Sequence, residues 1–224
     1  LSRYLIIVGA GGLGREVRWL AEECGRPVLG FLDDHSQIDS AVTDTRVLGP
    51  VQHWHKHAYA EFIIAVADPR QRRELARRMG LQGQPGFASL IHPSVGLPRS
   101  FRHGEGLIMA AGCAVTTDIS VGRHVILDRR VAIGHDCSIR DFCTVAPAAV
   151  LCSGVHLASG VQIGAGACVG ERLQLDSGSM LGMGAVLTRN AEKNHLLLGN
   201  PAEPAEFLAP FEDYAPRGKA AQSG

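Results

Sequence analysis

The sequence predicts an α/β, Rossmann-like N-terminal domain followed by a left-handed parallel β-helix made of hexapeptide repeats. Three observations carry this expectation. The first part of the chain alternates short apolar runs with amphipathic stretches. From Met109 onward every sixth residue is aliphatic. Between the two parts lies "LQGQPGFASLIHPSV", punctuated by glycine and proline in the way of a junction.

The N-terminal elements follow in order. "YLIIVGA" is a short apolar run suited to a parallel strand buried on both faces. "GREVRWLAEECG" reads as a helix, with Val17, Leu20 and Ala21 on one face and Gly25 as its stop. "VLGFLDD" and "EFIIAVAD" are two further buried strands, and "PRQRRELARRMG" is a helix opened by Pro69 and closed by Gly80. Strand and helix in alternation call for a small parallel sheet, assigned to residues 1–90.

The repeat then takes over. Steps of six from Met109 land on Val115, Val121, Leu127, Ile133, Ile139, Val145, Leu151, Leu157, Ile163, Val169, Leu175, Leu181 and Leu187. Four places after these stand small or branched residues such as Val131, Cys137, Ala149 and Ala167. This period is the signature of a parallel β-helix. In its triangular form each hexad makes one face and one corner, three hexads close a coil, and residues one coil apart stack in a column. The β-helix and its C-terminal cap are assigned to residues 91–212, and residues 213–224, ending in "PRGKAAQSG", to a disordered tail.

Composition excludes several classes. Lysine plus arginine equals aspartate plus glutamate at 22 each, so no net basic field exists to draw nucleic acid or an anionic membrane. Six cysteines without a CxxC pair read as free thiols in a reducing compartment. "YLIIVGAGG" is too short for a signal or membrane segment. The expectation is a cytoplasmic protein without membrane insertion.

Two motifs carry chemistry. "GAGGLG" fits G-x-G-x-x-G between a strand and a helix, and Asp33 and Asp34 follow where an acid meets a ribose. Alone this says dinucleotide, but a domain of about ninety residues suits a mononucleotide sugar, with phosphates near Gly9, Gly11, Gly12 and the helix N-terminus. In "VAIGHDCSI", His135 and Asp136 fall at a corner outside the core, with Ser153 one coil on in the histidine's column. Other readings stay open. A β-helix carbonic anhydrase needs a three-histidine zinc site, yet His103, His124, His135 and His156 show neither an i,i+4 pair nor a one-coil step. A non-catalytic trimeric scaffold is the third. "HWHKH", residues 53–57, reads as a solvated face, and His92 and His195 as structural.

On "IIVGAGGLGREV", "VLGFLDD", "LIHPSV", "IGHDCSIRDF" and "LLLGNPAEPAEF", in this order, the chain resembles the hexapeptide acyltransferases of the sialic acid O-acyltransferase and UDP-4-amino-sugar N-acetyltransferase type. The resemblance implies a homotrimer with active sites between neighbouring β-helices, acetyl-CoA as cosubstrate and no metal. It makes His135 the general base, Asp136 its orienting acid and the Ser153 backbone an oxyanion donor. Gly182, Gly184 and Gly199 fall where the family holds acetyl-CoA. The implied reaction is N-acetylation of a nucleotide-linked 4-amino-4,6-dideoxy sugar, with sugar O-acylation as the alternative. Two places depart from the family: Asp128 and Arg129 in "LDRR" replace an Asn-Thr pair, and Thr144 in "DFCTV" replaces a second histidine. All three positions face the acceptor in the family picture.

Overall fold

The computed structural model describes residues 4–35 and 46–212, so the tail expected from residue 213 lies outside the described residues. Four parallel strands, β1 (Leu5–Val8), β2 (Val28–Leu32), β3 (Val47–Gly49) and β4 (Glu61–Ile64), form a sheet in the order β3-β2-β1-β4. The strand order reverses between β1 and β4. Strand alternation sends Leu5 and Ile7 toward α1 (Gly12–Glu23), where Val17, Leu20 and Ala21 are buried. Ile6 and Val8 face the other way, toward Trp54 and toward Ala76 and Met79 of α2 (Pro69–Leu81). Asp68 caps α2 by accepting Gln71 N–H at 2.8 Å, with Pro69 in the first turn. Gly80 does not close α2 as expected: it sits within the helix, which continues to Leu81 with Gln82 as its cap. The "HWHKH" stretch falls on a 3-10 helix, Val51–His57, that buries Trp54.

The rest is a left-handed parallel β-helix of two-residue strands. Its register matches the predicted columns, since Ile126 pairs with Thr144 and Ala132 with Val150. All the six-step aliphatics from Val121 to Leu187, and the small residues four places on from Val125 to Ala167, are buried in one core. Each corner turns at a residue in the left-handed region, among them Arg130, Asp136 and Phe142 at φ 61°. An antiparallel hairpin, His195–Gly199 with Ala202–Phe207, ends the face that also carries Leu90–Ile91.

The three faces differ in what they show outside. One is buttressed by the N-terminal domain: Leu90, Ile108 and Ile126 join the α1 cluster, and Phe142 joins the α2 cluster. The second, apolar face presents Ala114, Ala132, Val150, Cys168 and Val186. The third, polar face presents Arg102, Ser120, Ser138, His156 and Gln174. Arg72 of α2 pins the two domains together. Its guanidinium is 1% exposed and donates to the carbonyls of Val66, Ala67, His124, Phe142 and Cys143 and to Thr144 Oγ1. Among the described residues no helix is long and apolar enough to cross a membrane.

Candidate active site

His135 and Asp136 occupy the corner between the apolar and polar faces. The left-handed backbone of Asp136 turns its carboxylate back onto the preceding imidazole, and His135 Nδ1 lies 2.7 Å from Asp136 Oδ2. Both side chains are exposed, at 60% and 66%, so Nε2 is left to meet a substrate. A carboxylate on Nδ1 selects the tautomer whose Nε2 is the free base.

The next coil comes unusually close at this point. A Cβ at Gly134 would lie 2.7 Å from Ser153 N, so only glycine fits. Gly154 N–H donates to His135 O at 2.8 Å, whereas the Ser153 N–H donates to no protein backbone acceptor among the described residues. A base, its orienting carboxylate and an open backbone donor thus stand at one rigid corner. That set is suited to proton removal from a nucleophile and to stabilising an oxyanion.

The N-terminal domain holds a second feature. A cleft of about 470 Å³ opens at the carboxyl ends of the strands, where their order reverses, lined by Gly9, Asp33, Asp34, His35, Arg70 and Arg78 among others. Gly9 has φ 103°, and a Cβ at Gly14 would strike Gly9 O, so the turn into α1 is packed too tightly for side chains at either position. Gly11 caps α1 with no side-chain hydrogen bond, which leaves the first N–H groups of that helix, from Gly12 on, open to an anion. Asp33 pins this turn by accepting from Ala10 N–H at 2.8 Å and from His35 N–H at 2.7 Å. Asp34 accepts from Val51 N–H at 2.9 Å and from Arg78 at 2.8 Å. Partial burial raises the Asp34 pKa, but these two donors and the Arg78 charge hold it, on balance, below the usual carboxylate value. Each carboxylate still has spare acceptor sites.

The remaining expected residues divide. Asp128 and Arg129 stand at the corner between the buttressed and apolar faces, where they edge a small apolar slot of about 70 Å³ beneath α1. Arg129 pairs with Glu16 at 3.0 Å and Asp128 at 3.6 Å, so its charge is already matched by carboxylates. Thr144 does not face an acceptor: it is 5% exposed, donates to Ala67 O at 2.7 Å and accepts from Arg72, which places it in the domain joint. Gly182 and Gly184 lie on the last coil at the same corner as Asp128, and space is open around Gly184. Gly199 ends the first strand of the hairpin. The full width of the apolar face therefore separates His135, Asp136 and Ser153 from Asp128, Arg129, Gly182 and Gly184 within one chain. Among the described residues no cluster of three or more His, Cys, Asp or Glu side chains has the form of a metal site. His124, weighed from the sequence only as one of four β-helix histidines, is 2% exposed, stacks on Phe142 at 5.1 Å and is driven by burial to a pKa of about 3. Sequence reading missed Arg70 and Arg72, because nothing in a helical "PRQRRELARR" run tells a buried arginine from a solvated one.

Known proteins resemble this chain over much of its length. Residues 4–79 match the PglD N-terminal domain family. A UDP-N-acetylbacillosamine N-acetyltransferase of Bacillus subtilis is 33% identical over 117 residues, which are 47% of this chain and 50% of that protein. The match thus spans about half the length of the curated relative. Solved structures align almost end to end. A perosamine N-acetyltransferase variant from Caulobacter crescentus, in complex with CoA and GDP-perosamine, has TM-score 0.85 and 27% identity, covering 91% of this chain and 97% of that one. The acetyltransferase domain of PglB from Neisseria gonorrhoeae, in complex with acetyl coenzyme A, has TM-score 0.83 and 28% identity, covering 92% and 100%. The resemblance read from the sequence is borne out: a PglD-type N-terminal domain precedes a left-handed β-helix, as in these acetyltransferases.

Proposed function

We propose that this chain is an acetyl-CoA-dependent N-acetyltransferase acting on the amino group of a nucleotide-linked 4-amino-4,6-dideoxy sugar. The observation that carries the reading is the exposed His135–Asp136 pair at 2.7 Å, with an open backbone N–H at Ser153 one coil away. In this reading the nucleotide lies in the cleft of the N-terminal domain, with its phosphates against Gly9, Gly11, Gly12 and the α1 N-terminus. Asp33 and Asp34 supply acceptors for ribose or base. Acetyl-CoA follows the last coil past Gly182 and Gly184 to Gly199, and Asp128 and Arg129 face the sugar.

The chemistry needs no covalent enzyme intermediate. His135 Nε2 takes the proton from the sugar amine as its nitrogen attacks the thioester carbonyl. Asp136 keeps the second imidazole proton on Nδ1 and offsets the charge that forms. The Ser153 N–H donates to the oxyanion of the tetrahedral intermediate, a donor type commonly worth about 3–4 kcal/mol. His135 then returns its proton to the departing CoA sulfur. With His135 and the acetyl-CoA groove at opposite edges of the apolar face, the site is completed by a second copy. A homotrimer associating through Ala114, Ala132, Val150 and Val186 is part of this proposal. So is a cytoplasmic location, in keeping with the free state of all six cysteines.

The test is thiol release from acetyl-CoA against UDP-, GDP- and dTDP-linked 4-amino sugars and free sialic acid. One nucleotide amino sugar is expected to react rapidly, and His135→Ala to lower kcat/KM by roughly 10²–10⁴-fold. Acetylation of sialic acid alone, or an unimpaired His135→Ala enzyme, overturns the proposal.

A further inference from the structure

Arg70, in the first turn of α2, lines the nucleotide cleft opposite the glycine turn. It differs from the other arginine of that wall. Arg78 is matched by Asp34 at 2.8 Å, whereas Arg70 has no carboxylate within ion-pair distance among the described residues. Its Nε donates to Ala209 O at 3.1 Å, and its Nη2 to Ala209 O at 2.6 Å and Gly178 O at 3.1 Å. Carbonyl oxygens satisfy these N–H groups but leave the positive charge uncompensated. Nη1 has no protein partner among the described residues, so two of the five guanidinium donors remain available.

One acceptor that holds Arg70, Gly178 O, belongs to a β-helix corner, and the other, Ala209 O, lies beyond the hairpin. After the hairpin, residues 208–212 return across the corner between the polar and buttressed faces. Phe211 N–H donates to Asn194 Oδ1 at 2.9 Å; its ring fills the space left by Gly160, and its Cβ and Asn194 Oδ1 fill the space left by Gly178. Arg70 and Arg73 lie over that ring at 5.9 and 5.3 Å, and Arg73 donates to Glu212 O at 2.6 Å. A guanidinium fixed on three bonds and a ring loses little further freedom when it meets a ligand.

Resting on the nucleotide-sugar reading of the cleft, we infer that Arg70 is the cation that binds the diphosphate, and that the C-terminal strap around Phe211 is what aims it. A diphosphate brings the charge that Arg70 lacks, and Gly9, in the turn that leads into α1, lines the same cleft. The strap thus ties residues 208–212 to recognition in the N-terminal domain.

Calorimetric titration with UDP, GDP and the matching nucleosides separates the claims. Wild type is expected to bind one diphosphate well above its nucleoside. Arg70→Gln should weaken that diphosphate by roughly 10- to 100-fold, with nucleoside affinity and the KM for acetyl-CoA unchanged. Arg70→Lys should recover part of the loss. Phe211→Ala should weaken the diphosphate less than Arg70→Gln does, again without touching the nucleoside. Wild-type binding of a diphosphate with Arg70→Gln indistinguishable overturns the assignment of Arg70 alone. Equal weakening of diphosphate and nucleoside overturns it in favour of a purely structural role. Absence of any nucleotide binding by wild type removes the reading of the cleft, and the inference with it.

Discussion

His135 and His124 are both corner histidines of the same β-helix, and their surroundings give them opposite chemistry. His135 meets solvent and a carboxylate 2.7 Å from Nδ1. His124 stacks on Phe142 and meets Phe87 edge-on, with Arg72 and Arg123 as neighbouring positive charges and Asp141 as an opposing one. Burial chiefly, and then the two arginines, lower its pKa to about 3, below the ordinary histidine value near 6.5. The sign follows from proton counting. Between those two pH values the unfolded chain binds a proton that the folded chain refuses, so stability falls as pH drops below about 6.5. The slope from this one group approaches about 1.4 kcal/mol per pH unit. His124→Asn keeps a residue tolerant of the left-handed backbone at φ 53° but carries no titrating group. Thermal melts at pH 6.5 and 5 should show a smaller loss of Tm on acidification than wild type, although Asn lowers Tm at both. An unchanged pH difference would assign the acid sensitivity to carboxylates.

At the scale of elements the joint between α2 and the β-helix rests on Arg72. Burial lowers its pKa to about 10, so it remains charged, with carbonyls and the Thr144 hydroxyl in place of a counter-ion. Removing the guanidinium leaves several buried acceptors without donors. Arg72→Ala is therefore expected to cost about 3–5 kcal/mol in chemical denaturation, far more than Arg77→Ala on the exposed side of the same helix. A loss under 1 kcal/mol would mean that water fills the gap. The sequence showed α2 and its proline start, because capping and periodicity are local. The β-helix was equally legible, since every inward residue repeats six apart. Arg72, Arg70 and the Phe211 strap were not, because Arg72 reaches His124 and Cys143 52 and 71 residues away, Arg70 reaches Ala209 139 residues away, and no repeat links them. For the same reason Thr144, read as facing an acceptor, turned out to belong to the joint. The His135–Asp136 pair could be read because the two residues are adjacent and the columns place both outside the core.

For the whole molecule the deciding surface is the apolar face. Its outward positions carry no charge, and Val150 near its centre is 38% exposed, whereas the polar face carries Arg102, His156 and Gln174 at equivalent positions. A continuous uncharged stripe bounded by His135 on one edge and Asp128 on the other is the surface that a second copy covers in the proposed trimer, bringing those edges together. Val150→Arg places a charge in the middle of that stripe and alters no residue of the His135 corner. Sedimentation is expected to show the proposed trimer for wild type and a monomer for the variant, with acetyl transfer lost and its far-UV spectrum retained. Because nucleotide binds within one N-terminal domain in this reading, the monomer should still bind diphosphate as wild type does. That combination separates assembly from folding: a monomer binding nucleotide but unable to acetylate means that each site draws on two chains. A monomeric variant with full activity would place the complete site within a single chain.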